Sequence, residues 1–168
     1  MTCGLSVPRQ NGKNALLEIR ELFGMVLLGE KILHSAHEVK TAQAHYRRFK
    51  HFFGNKANDE GADFPELNRL VTNVRNVNGQ ESITLSNGAE LRVIARSKSS
   101  GRGFTADVIV FDEAQELTED AIEAMLSTGS AGDLGNSQIL YTGTPPGPNA
   151  SGAVFTRQRA QGLSEHPG

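Results

Sequence analysis

Apolar residues in the first third of the chain recur near the helical period. Leu16, Leu17, Ile19, Leu22, Phe23 and Val26 form one such set, and the spacing predicts a helix over residues 14–28 with that set as its apolar face. Val39, Ala42, Tyr46, Phe49 and Phe53 repeat the pattern and predict a second helix over residues 38–53. Elsewhere apolar residues fall in short runs. Residues 3–7, 31–35, 107–111 and 138–142 read as buried strands. Residues 81–85 and 90–95 flank Asn87-Gly88, a strong hairpin signal. Shorter helices are predicted over 65–72, over 118–126 with Thr118 as N-cap, and over 153–161. Polar, Gly- and Pro-rich stretches at 55–62, 97–106 and 143–148 separate these elements.

Strands that alternate with helices, several of them continuous apolar runs, predict an α/β fold. The sheet should be largely parallel and covered on both faces, with an antiparallel hairpin at one edge. Residues 1–168 fit one domain. The formal net charge of −2 excludes the global basic excess of a strong nucleic-acid binder. Basic residues do cluster locally, as Arg47, Arg48 and Lys50 and as Arg92, Arg96, Lys98 and Arg102. Each cluster reads either as a local basic face or as a solvated surface. The single cysteine, Cys3, forms no internal disulfide and fits a reducing compartment. The chain start lacks the pattern of a secretory leader, and the apolar stretch at 25–28 is far too short for a membrane span. The expectation is a soluble, intracellular protein.

Three strand ends carry candidate chemistry. Residues 7–14, Val-Pro-Arg-Gln-Asn-Gly-Lys-Asn, lie between a predicted strand and a predicted helix, the setting of a phosphate-binding loop. Gly12 and Lys13 match the template, whereas Val7 replaces its first glycine and Asn14 its Ser/Thr. Pro8, Arg9, Gln10, Asn11 and Gly12 would wrap phosphates with backbone N–H groups at a helix N-terminus. Lys13 would reach the β and γ phosphates, and the Asn14 amide oxygen would face Mg²⁺. The alternative is an ordinary Asn-Gly turn. The second strand end is Asp112-Glu113, after the apolar run at 107–111. Open α/β sheets bind ligands at the carboxyl ends of their strands. Asp112 is then placed for Mg²⁺ and Glu113 for the attacking water; otherwise both merely precede the next helix. The third is Tyr-Thr-Gly-Thr-Pro-Pro at 141–146, where Thr142 and Thr144 could bond a γ phosphate or simply close a turn. A parallel sheet would bring Lys13 and Asp112, about a hundred residues apart, to one edge.

The loop at residues 6–13, Ser-Val-Pro-Arg-Gln-Asn-Gly-Lys, resembles the deviant phosphate loop of tailed-phage terminase large subunits, which carries Arg-Gln-x-Gly-Lys. Residues 111–117, Phe-Asp-Glu-Ala-Gln-Glu-Leu, resemble their Walker B segment, and Tyr-Thr-Gly-Thr-Pro at 141–145 resembles their coupling motif. Order and spacing agree over nearly the whole chain. The resemblance implies a P-loop NTPase three-layer sandwich of the additional-strand catalytic-glutamate type, with the strand ending at Thr142 between those ending at Val7 and Phe111. It implies a Mg²⁺-dependent ATPase motor that drives double-stranded DNA into a procapsid. A homo-oligomeric ring, a portal protein and a small terminase subunit would be its partners, in the cytoplasm of an infected bacterium. Lys13 would bind phosphate, Asp112 serve the metal, Glu113 be the catalytic carboxylate, and 142–144 couple hydrolysis to motion. Arg9 would contact the γ phosphate of its own subunit. Arg102 would be a finger offered to a neighbour, or else a loop cation for DNA or solvent. Asn14 departs from the family pattern, few residues precede the phosphate loop where an adenine-binding segment usually lies, and no stretch matches the acidic nuclease domain that follows in the family. The chain therefore reads as a motor domain without its nuclease. A helicase-type ATPase and a truncated nucleotide-binding module without activity of its own are the alternatives.

Overall fold

The computed structural model describes residues 1–8, 10–96, 104–129, 137–145 and 152–165. Seven strands, β1 (Thr2–Ser6), β2 (Lys31–Ala36), β3 (Val71–Arg75), β4 (Glu81–Leu85), β5 (Glu90–Ala95), β6 (Val108–Phe111) and β7 (Gln138–Gly143), form one sheet. Helices α1 (Lys13–Phe23), α2 (Val39–Phe53), α3 (Pro65–Asn68), α4 (Glu119–Gly129) and α5 (Ala153–Glu165) connect or follow them. The strand order is β1-β7-β6-β2-β5-β4-β3. From β1 to β5 every neighbouring pair is parallel, and β3 and β4 add antiparallel pairs at the far edge. The expected α/β sandwich is therefore present, and β7 lies between β1 and β6 as the resemblance implied.

Alternation along the strands divides the core between the two faces. Ile32, Val108 and Val110 join Leu17, Met25, Phe49 and Phe53 on the face covered by α1 and α2. Leu33, Ile109 and Phe111 join Leu117, Met125 and Phe155 on the other. Phe49, Phe53, Phe111 and Ile109 are fully or almost fully buried; each such side chain contributes about 1.5–3 kcal/mol of transfer free energy. Among the described residues no helix is long and apolar enough to cross a membrane.

Three expectations change. β1 is half exposed rather than buried, because as an edge strand it pairs only with β7. The helix expected over 14–28 ends at Phe23 and passes into a π-helical turn, Gly24–Leu28. Its inward face carries Leu17, Glu21 and Met25, while Leu16, Ile19 and Phe23 point outward and stay about half exposed or more. The helix expected over 65–72 stops at Asn68, and β3 follows. The Asn68 amide donates to the carbonyls of Phe53 (2.6 Å) and Lys56 (2.9 Å), which anchors the turn, and β-branched Val71, Thr72 and Val74 suit an extended chain. The 87–88 hairpin forms the expected antiparallel edge, with β3 added outside β4 and β5 bonded to β2.

Candidate active site at the carboxyl edge of the sheet

The carboxyl ends of β1, β7, β6 and β2 meet at one edge. After β1 the chain turns through Gln10 (φ 63) and Gly12 (φ 74). Gly12 sits in the left-handed region, which glycine enters without steric cost, and α1 begins at Lys13. Val7 donates its N–H to Gly143 O at 3.1 Å, which extends the β1–β7 ladder into the loop. From the first turn of α1, Lys13 Nζ reaches Asp112 Oδ1 at 2.5 Å. The same oxygen accepts Thr142 Oγ1 at 3.0 Å and the Glu113 N–H at 2.8 Å. One carboxylate oxygen thus joins α1, β6 and β7. Burial pushes the Asp112 carboxyl up, but His34, Lys13 and the bonds it accepts more than reverse this and hold it below the ordinary carboxylate range.

Glu113 follows in the left-handed region (φ 52, ψ 48), which costs a non-glycine residue about 1–2 kcal/mol. Its Oε2 is buried and has no hydrogen-bond partner among the described residues. A cavity of about 510 Å³ opens here, lined by Pro8, Gln10, Asn11, Gly12, Lys13 and Asn14 of the loop together with Asp112, Glu113 and Thr144. These residues, all candidates from the sequence, share one chamber. Thr142 lies beneath it, buried, with its hydroxyl on Asp112. Arg9 and Arg102 lie outside the described residues.

Two contacts at the site were not foreseen. Gln115 lines the cavity, and its Oε1 accepts the Thr144 N–H at 3.1 Å, which ties the end of β7 to the turn after β6. The sequence signal was its place directly behind the paired carboxylates. Arg96, grouped above with surface cations, is half-buried, and its guanidinium donates to the carbonyls of Ser35, Asp112 and Glu113. Among the other described basic residues of the two clusters, Arg48 pairs with Glu18, Lys50 lies over the Tyr46 ring, and Arg92 pairs with Glu90 and covers Phe104.

A larger cavity of about 790 Å³ lies between β1 and α5. Its lining has one cation, Arg159, and no carboxylate, whereas the paired carboxylates Asp112 and Glu113 line the smaller chamber. A third cluster, Glu21, His34 and His45, is buried under α1 and α2. Its ligand-type atoms lie within 4.8 Å of one another. The two imidazoles, however, stack with centroids 3.6 Å apart and planes 12° from parallel, so their lone pairs run side by side instead of converging on an ion. His34 Nδ1 and His45 Nε2 each sit 2.7 Å from one oxygen of Glu21, a His–carboxylate–His bridge.

No protein-family model and no curated protein matches the chain. Solved structures do. The large terminase of bacteriophage HK97 superposes with a TM-score of 0.77 at 17% identity, over 99% of this chain and 33% of that one. The large terminase ATPase domain of Thermus phage P74-26 gives 0.59 at 18% identity, over 88% of this chain and 61% of that one. The large terminase of a thermophilic bacteriophage gives 0.58 at 15% identity, over 98% and 38%. The chain has the fold of these phage terminases and spans about a third of the HK97 protein.

Proposed function

We propose that the chain is the ATP-hydrolysing motor domain of a phage large terminase. The observation that carries this reading is one cavity holding the loop lysine, Lys13, and a buried carboxylate oxygen of Glu113 with no partner among the described residues, on a fold shared with phage large terminases. A hard divalent cation fits the donor set, since Asp112 and Glu113 offer carboxylate oxygens at the strand end and Asn14 an amide oxygen at the cavity wall. When bound, Mg²⁺ supplies charge neutralisation on the triphosphate. Asp112 and Asn14 would hold it.

The chain's own residues do the rest. Backbone N–H groups of 10–13 and the α1 dipole favour the phosphates. Lys13, now on Asp112, would turn to them. Glu113 would orient a water and take its proton; its free oxygen has no competing donor among the described residues. The Thr144–Gln115 bond would transmit the change at the carboxylates to the end of β7. Arg9 is proposed to contact the γ phosphate in its own subunit and Arg102 to reach a neighbour's. Double-stranded DNA, a portal protein, a small subunit and a homo-oligomeric ring in the host cytoplasm belong to the same proposal.

The test is steady-state ATP hydrolysis with Mg²⁺, with and without double-stranded DNA, for the unaltered chain, Glu113→Gln and Lys13→Ala. Glu113→Gln is expected to lower turnover by about 10²–10⁴-fold, and Lys13→Ala to weaken nucleotide binding as well. Turnover that survives Glu113→Gln would remove Glu113 from the mechanism. Nucleotide binding without turnover in the unaltered chain would favour a non-hydrolysing module, and stimulation by single-stranded DNA alone would favour a helicase-type ATPase.

A further inference from the structure

Arg96 stands at the carboxyl end of β5, two strands away from β6. Its side chain crosses the end of β2 to reach the turn that carries the paired carboxylates. Nη1 donates to Ser35 O at 3.0 Å and to Asp112 O at 2.6 Å, and Nη2 donates to Glu113 O at 3.0 Å. The Arg96 N–H continues the β5 ladder to Ala36 O at 2.9 Å, and the Asp112 N–H closes the other side on Ser35 O at 2.9 Å. One planar fork therefore spans three strand ends, a geometry that a guanidinium offers and an ammonium does not.

The acceptors are backbone carbonyls. Arg96 holds the peptide groups on either side of the Glu113 Cα, the residue with φ 52 and ψ 48, yet leaves its carboxylate Oε2 without a donor among the described residues. A direct Arg–Glu113 ion pair would occupy the lone pair that a water must reach. We propose that Arg96 is a positioning residue: it locks the backbone of Glu113 in the left-handed conformation, so that Glu113 is held in the cavity wall. The role rests on the hydrolytic reading above. Burial lowers the Arg96 pKa to about 10, partly offset by Asp112, Glu113 and Glu116, so the fork keeps its proton at neutral pH.

The experiment compares the unaltered chain with Arg96→Gln and Arg96→Lys. It measures kcat for MgATP, Kd for a fluorescent ATP analogue, thermal midpoint, and amide hydrogen exchange over residues 112–117. Arg96→Gln is expected to lower kcat by about 10²-fold, the scale of a misplaced catalytic group, with Kd changed by less than about threefold. Exchange should rise over 112–117 and not in β2 or β4. Arg96→Lys, which keeps the charge without the fork, should fall between. A folded Arg96→Gln with unchanged kcat, or with kcat, Kd and sheet-wide exchange all deteriorating together, would overturn the positioning role. If Arg96→Gln does not fold, Arg96→Lys decides on the same readouts. If the unaltered chain shows no turnover, the hydrolytic reading falls by itself, and exchange over 112–117 still decides whether Arg96 clamps that turn.

Discussion

Glu113 combines a left-handed backbone with a buried carboxylate oxygen that has no partner among the described residues. Either feature alone lowers stability, and together they mark a position set by chemistry. Glu113→Gly removes both. It is expected to raise stability to unfolding in urea by about 1 kcal/mol while abolishing hydrolysis. A variant less stable than the unaltered chain would show that the conformation is not strained. The paired carboxylates, Gly12 and Lys13 were legible in the sequence because the chemistry proposed for them needs those residue types beside a strand end. Arg96 was not. Its side chain reaches across β2 to a segment sixteen residues on, and composition cannot tell such a reach from a solvated cation. Gln115 falls between these cases, adjacent to a recognisable pair but given its role by Thr144.

Helices α1 and α2 are held to β2 by the buried bridge of Glu21, His34 and His45. Burial pushes the Glu21 carboxyl up, but His45 and His34 more than reverse this and hold it at about 2. Burial, helped by His34, pushes the His45 imidazole below its ordinary value. Both groups bind fewer protons folded than unfolded, so stability rises with pH. The Glu21 contribution is complete above the ordinary carboxylate value and is lost as pH falls toward 2. The His45 contribution begins to be lost as pH falls below the ordinary imidazole value. The thermal midpoint should therefore fall between pH 7 and pH 4 more steeply in the unaltered chain than in the double variant Glu21→Gln with His45→Gln, which removes both groups, and equal slopes would show that the bridge carries no such linkage. Apolar periodicity revealed α1 and α2, and short continuous apolar runs revealed β2, β6 and β7. It hid the bridge, whose members occupy core positions in those same patterns. It also misassigned the faces of α1, which is apolar on two sides, and missed β3, where apolar Val71 and Val74 are too few to mark a strand.

At the scale of the molecule, the candidate site exists because strand order differs from sequence order. Lys13 and Asp112 are 99 residues apart in sequence, and their elements meet because β7 lies between β1 and β6. A chain ending at Gly129 would leave β1 without its partner, and it is expected to lose nucleotide binding, measured by fluorescence titration, while retaining helical signal from α1 and α2. Retained binding would mean that the loop does not need β7. The same arrangement sets a timetable for synthesis. β1 leaves the ribosome before the other six strands, yet the residues that flank it, 139–143, are made only after more than a hundred others. At about 5–20 residues per second the loop after β1 waits roughly 7–30 s for its neighbour, and through that interval a strand without its β7 partner must avoid pairing elsewhere. The first part of the site to be translated is among the last to take shape.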